Sequence, residues 1–261
     1  MEAMTIPVID LFAGPGGLGE GFSAYSTKLG KEKFNPFRIS LSIEKDPTAH
    51  QTLLLRAFYR NMQRSGLEMK PYYDLVKNGN PDRLREYVFT SGRPDLEKMF
   101  EKSIHEANCS ELKPENHELW HLINSRITSI KNESKDWVLI GGPPCQAYSL
   151  AGRSRNRGIN DYRIEDDSRS TLYKQYLRVI AMGLPSIFVM ENVKGMLSAK
   201  LHGKSVFQII LEDLKWPGNA VGSTDKEVLG TEYMIVPCTA PNNQETQASL
   251  FKEEFDEKDF I

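Results

Sequence analysis

Residues 139 to 149, Leu-Ile-Gly-Gly-Pro-Pro-Cys-Gln-Ala-Tyr-Ser, set one cysteine where it could react. The apolar run Trp137 to Ile140 ends at two glycines, and two prolines then hold Cys145 in a rigid, extended turn. A cysteine attacks as its thiolate. It therefore needs a fixed approach and a partly electropositive setting, both easier to supply at a strand end than inside a core. A buried structural cysteine would fit the same residues, since free Cys is among the most buried types. The second group able to do chemistry is Glu191, in Glu191-Asn192-Val193 after the apolar run Ile187 to Met190. A carboxyl whose pKa is raised by a buried strand end can hold or transfer a proton near neutrality. Cys145 and Glu191 each follow an apolar strand, and the carboxyl ends of such strands share one rim of a parallel sheet.

Other elements must build that sheet. Ile6 to Phe12 reads as a buried strand, and Ala13-Gly14-Pro15-Gly16-Gly17-Leu18-Gly19 as a tight turn into a helix through Phe22 and Tyr25. Glycines there let backbone approach a ligand at a helix N-terminus. Gly14, Gly16 and Gly19 spell G-x-G-x-x-G, so a nicotinamide or flavin oxidoreductase is one possibility, though it leaves Cys145 and Glu191 unexplained. Phe37 to Ile43 reads as a second strand ending at Glu44, an acid placed to accept hydrogen bonds from both hydroxyls of a ribose.

Between that strand and the cysteine strand lies a long insertion. Helical spacing occurs over Pro47 to Ser65, over Asp95 to Asn108, and after Pro114 through Ile130. His117-Glu118-Leu119-Trp120-His121 matches H-E-x-x-H, but a catalytic zinc needs a third protein ligand and no neighbouring histidine cluster follows, so surface histidines and no metal are expected. Residues 149 to 169 carry Arg153, Arg155, Arg157, Arg163 and Arg169 in a polar stretch suited to phosphate contact, partly offset by acids. A helix runs from a Ser170 cap to Gly183, another occupies Ser205 to Leu214, and Tyr233 to Val236 reads as a strand.

Four stretches resemble the cytosine-C5 DNA methyltransferase family in the same order. Asp10 to Gly17 is similar to its S-adenosylmethionine loop and Gly141 to Ser149 to its catalytic loop. Asp167 to Leu172 resembles a cofactor-touching segment, and Glu191 to Val193 its Glu-Asn-Val motif. The resemblance covers 6 to 46 and 136 to about 215. It implies an α/β, Rossmann-like S-adenosylmethionine-dependent methyltransferase fold, with a largely parallel sheet and a helical insertion at about 47–136. It implies Cys145 as nucleophile, Glu191 at the cytosine N3 and Asn192 as an orienting group. Phe12, Ala13, Gly14, Gly16, Gly17, Leu18, Glu44, Lys45, Pro144 and Leu172 match cofactor-binding positions. Gln146 and Ser149 match DNA-contacting ones, and Arg153 and Arg155 are expected on the phosphates. The family's adenine-contacting acid is expected between 47 and 136, at a position the insertion obscures. A target-recognition domain and the C-terminal motifs are not recognised in the chain. Residues 1–261 are therefore expected to be the catalytic and cofactor-binding portion of a split, truncated or decayed enzyme, acting on a flipped cytosine in DNA, with a second polypeptide supplying recognition. The role, restriction-modification or other marking, is not written in these residues. A tRNA cytosine methyltransferase and a non-catalytic cofactor- or DNA-binding fragment remain alternatives.

The composition is compatible with that expectation. The 261 residues, 39% hydrophobic, suffice for a full core, and a formal charge of −2 excludes general polyanion binding, leaving only local basic patches. Three cysteines without a C-x-x-C argue against a disulfide scaffold. With no signal-like N-terminus and no membrane-length apolar run, a soluble cytoplasmic protein is expected.

Overall fold

The computed structural model describes residues 5–29, 32–78, 83–144, 172–191, 200–201 and 204–237. Cys145, Gln146, Ser149, Arg153, Arg155, Ser170 and Asn192 lie outside the described residues. The chain divides into two compact units, Met1–Pro143 with Pro185–Glu191, and Pro144–Leu184 with Asn192–Ile261.

The first unit is built on a five-stranded sheet. Its strands are β1 (Ile6–Leu11), β4 (Phe37–Glu44), β5 (Ala107–Cys109), β6 (Val138–Gly141) and β7 (Ile187–Met190), in the order β5-β4-β1-β6-β7 and all parallel. Val8, Ile9, Leu11, Leu41, Ile43, Leu139 and Ile140 are buried, as are Ser40 and Ser42 on β4, as expected of strands covered on both faces. The chain reaches β4 and β5 on one side of β1, and β6 and β7 on the other. The loops leaving β1 and β6 therefore part at a topological switch point, where open α/β sheets bind ligands. Register pairs Leu11 with both Ile43 and Gly141, and Gly141 with Met190, so four strands end level on one rim.

Helix α1 (Gly17–Ala24) follows β1, and the antiparallel pair β2 (Thr27–Leu29) and β3 (Glu32–Phe34) leads into β4. Helix α2 (Pro47–Arg64) starts where the sequence predicts: Asp46 caps it by accepting the Ala49 N–H at 2.8 Å, and Pro47 occupies the first turn, where its missing N–H costs nothing. Next come α3 (Lys70–Asn78), α4 (Leu84–Thr90), α5 (Pro94–Glu106) and, after β5, α6 (His117–Glu133). Phe58 and Met62 of α2 join Leu75, Leu84, Val88, Leu96, Met99 and Phe100 in a buried cluster of their own.

Two expectations need correction. The helix predicted over Asp95 to Asn108 stops at Glu106, because Ala107 to Cys109 pair with Ser42 to Glu44 as a third strand. Three residues are too few to show a strand period, and cross-strand pairing overrides their helical spacing. The interval 47 to 136 is therefore only partly an insertion, since it contributes β5 to the sheet.

In the second unit, α7 (Leu172–Gly183), the pair β8 (Lys200–Leu201) and β9 (Lys204–Ser205), α8 (Val206–Lys215), α9 (Pro217–Ala220) and α10 (Lys226–Leu229) are described. Ser205 caps α8, accepting the Gln208 N–H, and the Tyr173 hydroxyl of α7 donates to Asp213 of α8 at 2.9 Å. Gly218 permits the approach of α9 to α10, since an added Cβ would stand 2.5 Å from the Val228 carbonyl oxygen. Tyr233 to Val236, read from sequence as a strand, forms none among the described residues: exposure alternates along it, but the Tyr233 N–H bonds the Lys215 carbonyl at the end of α8.

Candidate active site

The turn between β1 and α1 has two faces. Gly16 (φ +88°) and Gly19 pack inward, where an added Cβ would lie 2.8 Å from Leu53 Cδ1 and 2.9 Å from Asp10 Oδ2 respectively. Gly14 (φ +55°) and Gly17 have nothing within 4 Å of the same position, so the backbone there borders open space. Phe12 adopts φ +57°, a left-handed conformation that is uncommon for a bulky residue and is held only where the surroundings enforce it. Phe12, Ala13, Gly14 and Leu18 are half-buried, Gly16 is buried and Gly17 exposed.

Glu44, at the end of β4, locks this turn. Its Oε2 accepts the Gly14 N–H and its Oε1 the Asp46 N–H, both at 2.7 Å, while the Ala13 N–H bonds the Ile43 carbonyl at 3.0 Å. A carboxylate has about four lone-pair sites, so each Glu44 oxygen keeps capacity for a further donor. Lys45, expected at the cofactor, pairs with Glu111 at 3.5 Å with its side chain 59% exposed, an interaction of little energetic weight. β5 brings Asn108 and Cys109 level with Ile43 and Glu44, and the Ser110 N–H bonds the Glu44 carbonyl at 3.0 Å. Cys109 is no rival nucleophile. Partial desolvation, then the nearby Glu44 and Asp46 carboxylates, hold its thiol above the usual range.

Sequence reasoning missed two charged groups behind the turn. Asp10 is 1% exposed, neither of its carboxylate oxygens has a hydrogen-bond partner, and its pKa is pushed up to about 7. Burial is the main cause. Arg60 pulls the value down, Glu191 and Glu44 push it up, and the Gly19 N–H, though it points at the carboxylate, makes no hydrogen bond of normal geometry. Arg60, buried on α2, pairs with Glu20 of α1 and with Glu106 at the end of α5. An acid inside the apolar run Ile6 to Phe12 was a visible signal for Asp10. Arg60 had none, because its partners lie 40 and 46 residues away.

On the other side of the switch point, the Glu191 N–H donates to the Gly141 carbonyl at 2.9 Å, and a Cβ on Gly142 would lie 3.4 Å from Glu191 Oε2. The segment that continues to Cys145 thus leaves the sheet beside Glu191. Contrary to the expectation of a buried strand-end acid, Glu191 is exposed, because β7 closes the described sheet order and its own residues are only half-buried or exposed. Pro144 is half-buried at the end of the described segment, and Leu172 is half-buried in the first turn of α7. His117 and His121 are both exposed on α6, and no group of three or more His, Cys, Asp or Glu able to hold a metal occurs among the described residues. No helix among them is long and apolar enough to cross a membrane.

A family model for C-5 cytosine-specific DNA methylase matches residues 87–221, just over half of the chain. The chain belongs to that family. A C-5 cytosine-specific DNA methylase match over this stretch includes β6, β7 and the segments carrying Cys145 and Glu191, whereas β1, its glycine turn and β4 precede it. The chain is 35% identical over 224 residues to the type II methyltransferase M.Bpa9945I of Bacillus paralicheniformis, a match covering 82% of this chain and 46% of that protein. It is 44% identical over 75 residues to M.AquIA of Picosynechococcus sp., covering 29% and 27%, and 41% identical over 91 residues to M.NgoPII of Neisseria gonorrhoeae, covering 34% and 24%, both again type II methyltransferases. The chain spans less than half the length of these curated relatives.

Proposed function

We propose that the chain is the catalytic and cofactor-binding portion of a DNA cytosine-C5 methyltransferase that uses S-adenosylmethionine, its target recognition supplied by further polypeptide. The observation that carries this reading is the pairing of β6 with β7, with the Glu191 N–H on the Gly141 carbonyl, because it starts the Gly-Gly-Pro-Pro-Cys segment beside the Glu-Asn-Val acid. The fit of the cofactor rests on the open space over Gly14 and Gly17, the ribose-suited Glu44 and the unpartnered Asp10. When bound, S-adenosylmethionine supplies a methyl group activated by its sulfonium.

The chain's own residues have to make cytosine C5 nucleophilic. The Cys145 thiolate adds to C6, and the electron pair released toward N3 takes up a proton there by way of Glu191, leaving C5 enamine-like. Asn192 orients the ring. Once C5 carries the methyl group, loss of the C5 proton restores the double bond and expels the Cys145 thiolate, so the nucleophile is regenerated. Gln146 and Ser149 face the DNA, and Arg153 and Arg155 bind its phosphates, a contribution that weakens as salt rises. Phe12, Ala13 and Leu18 line the cofactor, and Pro144 and Leu172 match cofactor-binding positions of the family.

DNA carrying 5-fluorocytosine tests this directly, because fluorine cannot leave as a proton does and the Cys145 adduct persists. With the missing portion supplied in trans, the chain is expected to form a denaturation-resistant complex that Cys145→Ser abolishes. No adduct under any condition would leave a binding fragment as the better account, and an adduct formed only on tRNA would move the substrate to RNA.

A further inference from the structure

The turn that faces the open space has little left to offer an anion. The Ala13 N–H is spent on Ile43, the Gly14 N–H on Glu44 and the Gly16 N–H on Ala13, and Pro15 has none. Between Ala13 and Gly16 no backbone donor is left over. Yet the amino-acid end of S-adenosylmethionine carries a carboxylate. Beside this turn stands Arg56 of α2, one helical turn beyond Leu53: its Nη1 lies 3.9 Å and its Cδ 3.7 Å from where a Cβ on Gly16 would be. Arg56 is half-buried, and among the described residues it forms no ion pair and no hydrogen bond, whereas Arg60, one turn further on, pairs with two carboxylates. A guanidinium carries five N–H donors in a planar fork that fits a carboxylate with two parallel hydrogen bonds. Independently, the buried Asp10 carboxylate behind the same turn also lacks a hydrogen-bond partner.

We propose that Arg56 is a cofactor-binding residue whose guanidinium takes the carboxylate of the methionine portion of S-adenosylmethionine at the Gly16–Gly17 end of the turn. The inference rests on the cofactor reading above and adds a residue outside the motifs that suggested it. It makes Arg56 a discriminator between the complete cofactor and a nucleoside without the amino acid.

The test is calorimetric titration of the 261-residue chain with two probes, S-adenosylhomocysteine and 5′-methylthioadenosine, which share the thioether nucleoside but not the carboxylate. Arg56→Gln is expected to weaken S-adenosylhomocysteine about 10- to 100-fold, the range for a lost charge-assisted bidentate contact, and to leave 5′-methylthioadenosine unchanged. Arg56→Lys, which keeps the charge but not the fork, should fall between, and it serves as the test should the glutamine variant not fold. Equal loss for both probes would make Arg56 a packing residue and overturn the proposal. Unchanged S-adenosylhomocysteine binding would overturn it too, and if DNA affinity fell instead the anion would be a phosphate. A wild-type chain that bound neither probe would sink the cofactor reading itself, an outcome distinct from failure of Arg56 alone.

Discussion

The acids on the two sides of the switch point sit differently: Glu44 is tied into its rim, whereas Glu191 stands exposed at the end of β7. Over β1 and β4 the rim is cross-tied: Glu44 bonds both neighbouring turns, Arg60 ties α1 to the end of α5, and Gly16 and Gly19 are packed against side chains. Over β6 and β7 the Glu191 N–H bonds the Gly141 carbonyl and the Glu191 side chain is exposed. Under the proposed function, the difference matches what each side would do. A cofactor site gains affinity from donors and acceptors fixed in advance, whereas a site that admits an extruded base has to remain open until the base arrives.

The contrast can be broken experimentally, and the largest effect is expected at Asp10. Its carboxyl has a folded pKa of about 7 against an ordinary 3.8. Below about pH 4 it is protonated in both states; as pH rises toward 7 the unfolded chain releases the proton while the fold retains it, so stability falls, and above 7 the loss is complete. At about 1.4 kcal/mol per pH unit of separation the upper bound is about 4 kcal/mol. Denaturant titrations of wild type and Asp10→Asn from pH 4 to 8 should diverge in this direction, and parallel curves would show that Asp10 is not buried in its charged state.

Glycine substitutions compare the two rims with the same chemistry. Gly16→Ala meets Leu53 at 2.8 Å in a left-handed conformation and should cost about 3 kcal/mol, whereas Gly142→Ala meets the movable Glu191 side chain at 3.4 Å and should cost under about 1 kcal/mol. Equal losses in urea denaturation would erase the distinction. The smallest expected effect separates the two acids. Glu44→Gln replaces one acceptor with an N–H facing another N–H and should cost about 2 kcal/mol together with most of the S-adenosylhomocysteine affinity. Glu191→Gln should change stability by under about 0.5 kcal/mol and leave that affinity intact, while reducing the covalent trapping described above.

Much of this architecture was legible in the sequence because it depends on local signals. Helical spacing from Pro47 announced α2, apolar runs announced β1, β6 and β7, alternation over Phe37 to Ile43 announced β4, and Glu44 stands at the predicted strand end, although its bonds to Gly14 and Asp46 could not be foreseen. What escaped was non-local. β5 is defined only by its neighbour β4, Arg60 only by acids on two other helices, and Arg56 only by the approach of α2 to a turn some 40 residues earlier. The expected burial of Glu191 failed for a similar reason, since position in the sheet decides exposure and the strand's own composition does not reveal that position.

The cluster formed by Phe58, Met62, Leu75, Leu84, Val88, Leu96, Met99 and Phe100 has a consequence of its own. α2 and α5 anchor its two ends, and the Arg60–Glu106 pair fastens those helices together close to β5. The outer face of the intervening stretch with α3 and α4 takes no part in that pair. That makes it a place where divergence between related enzymes would accumulate at low cost, and a natural point for grafting a foreign peptide.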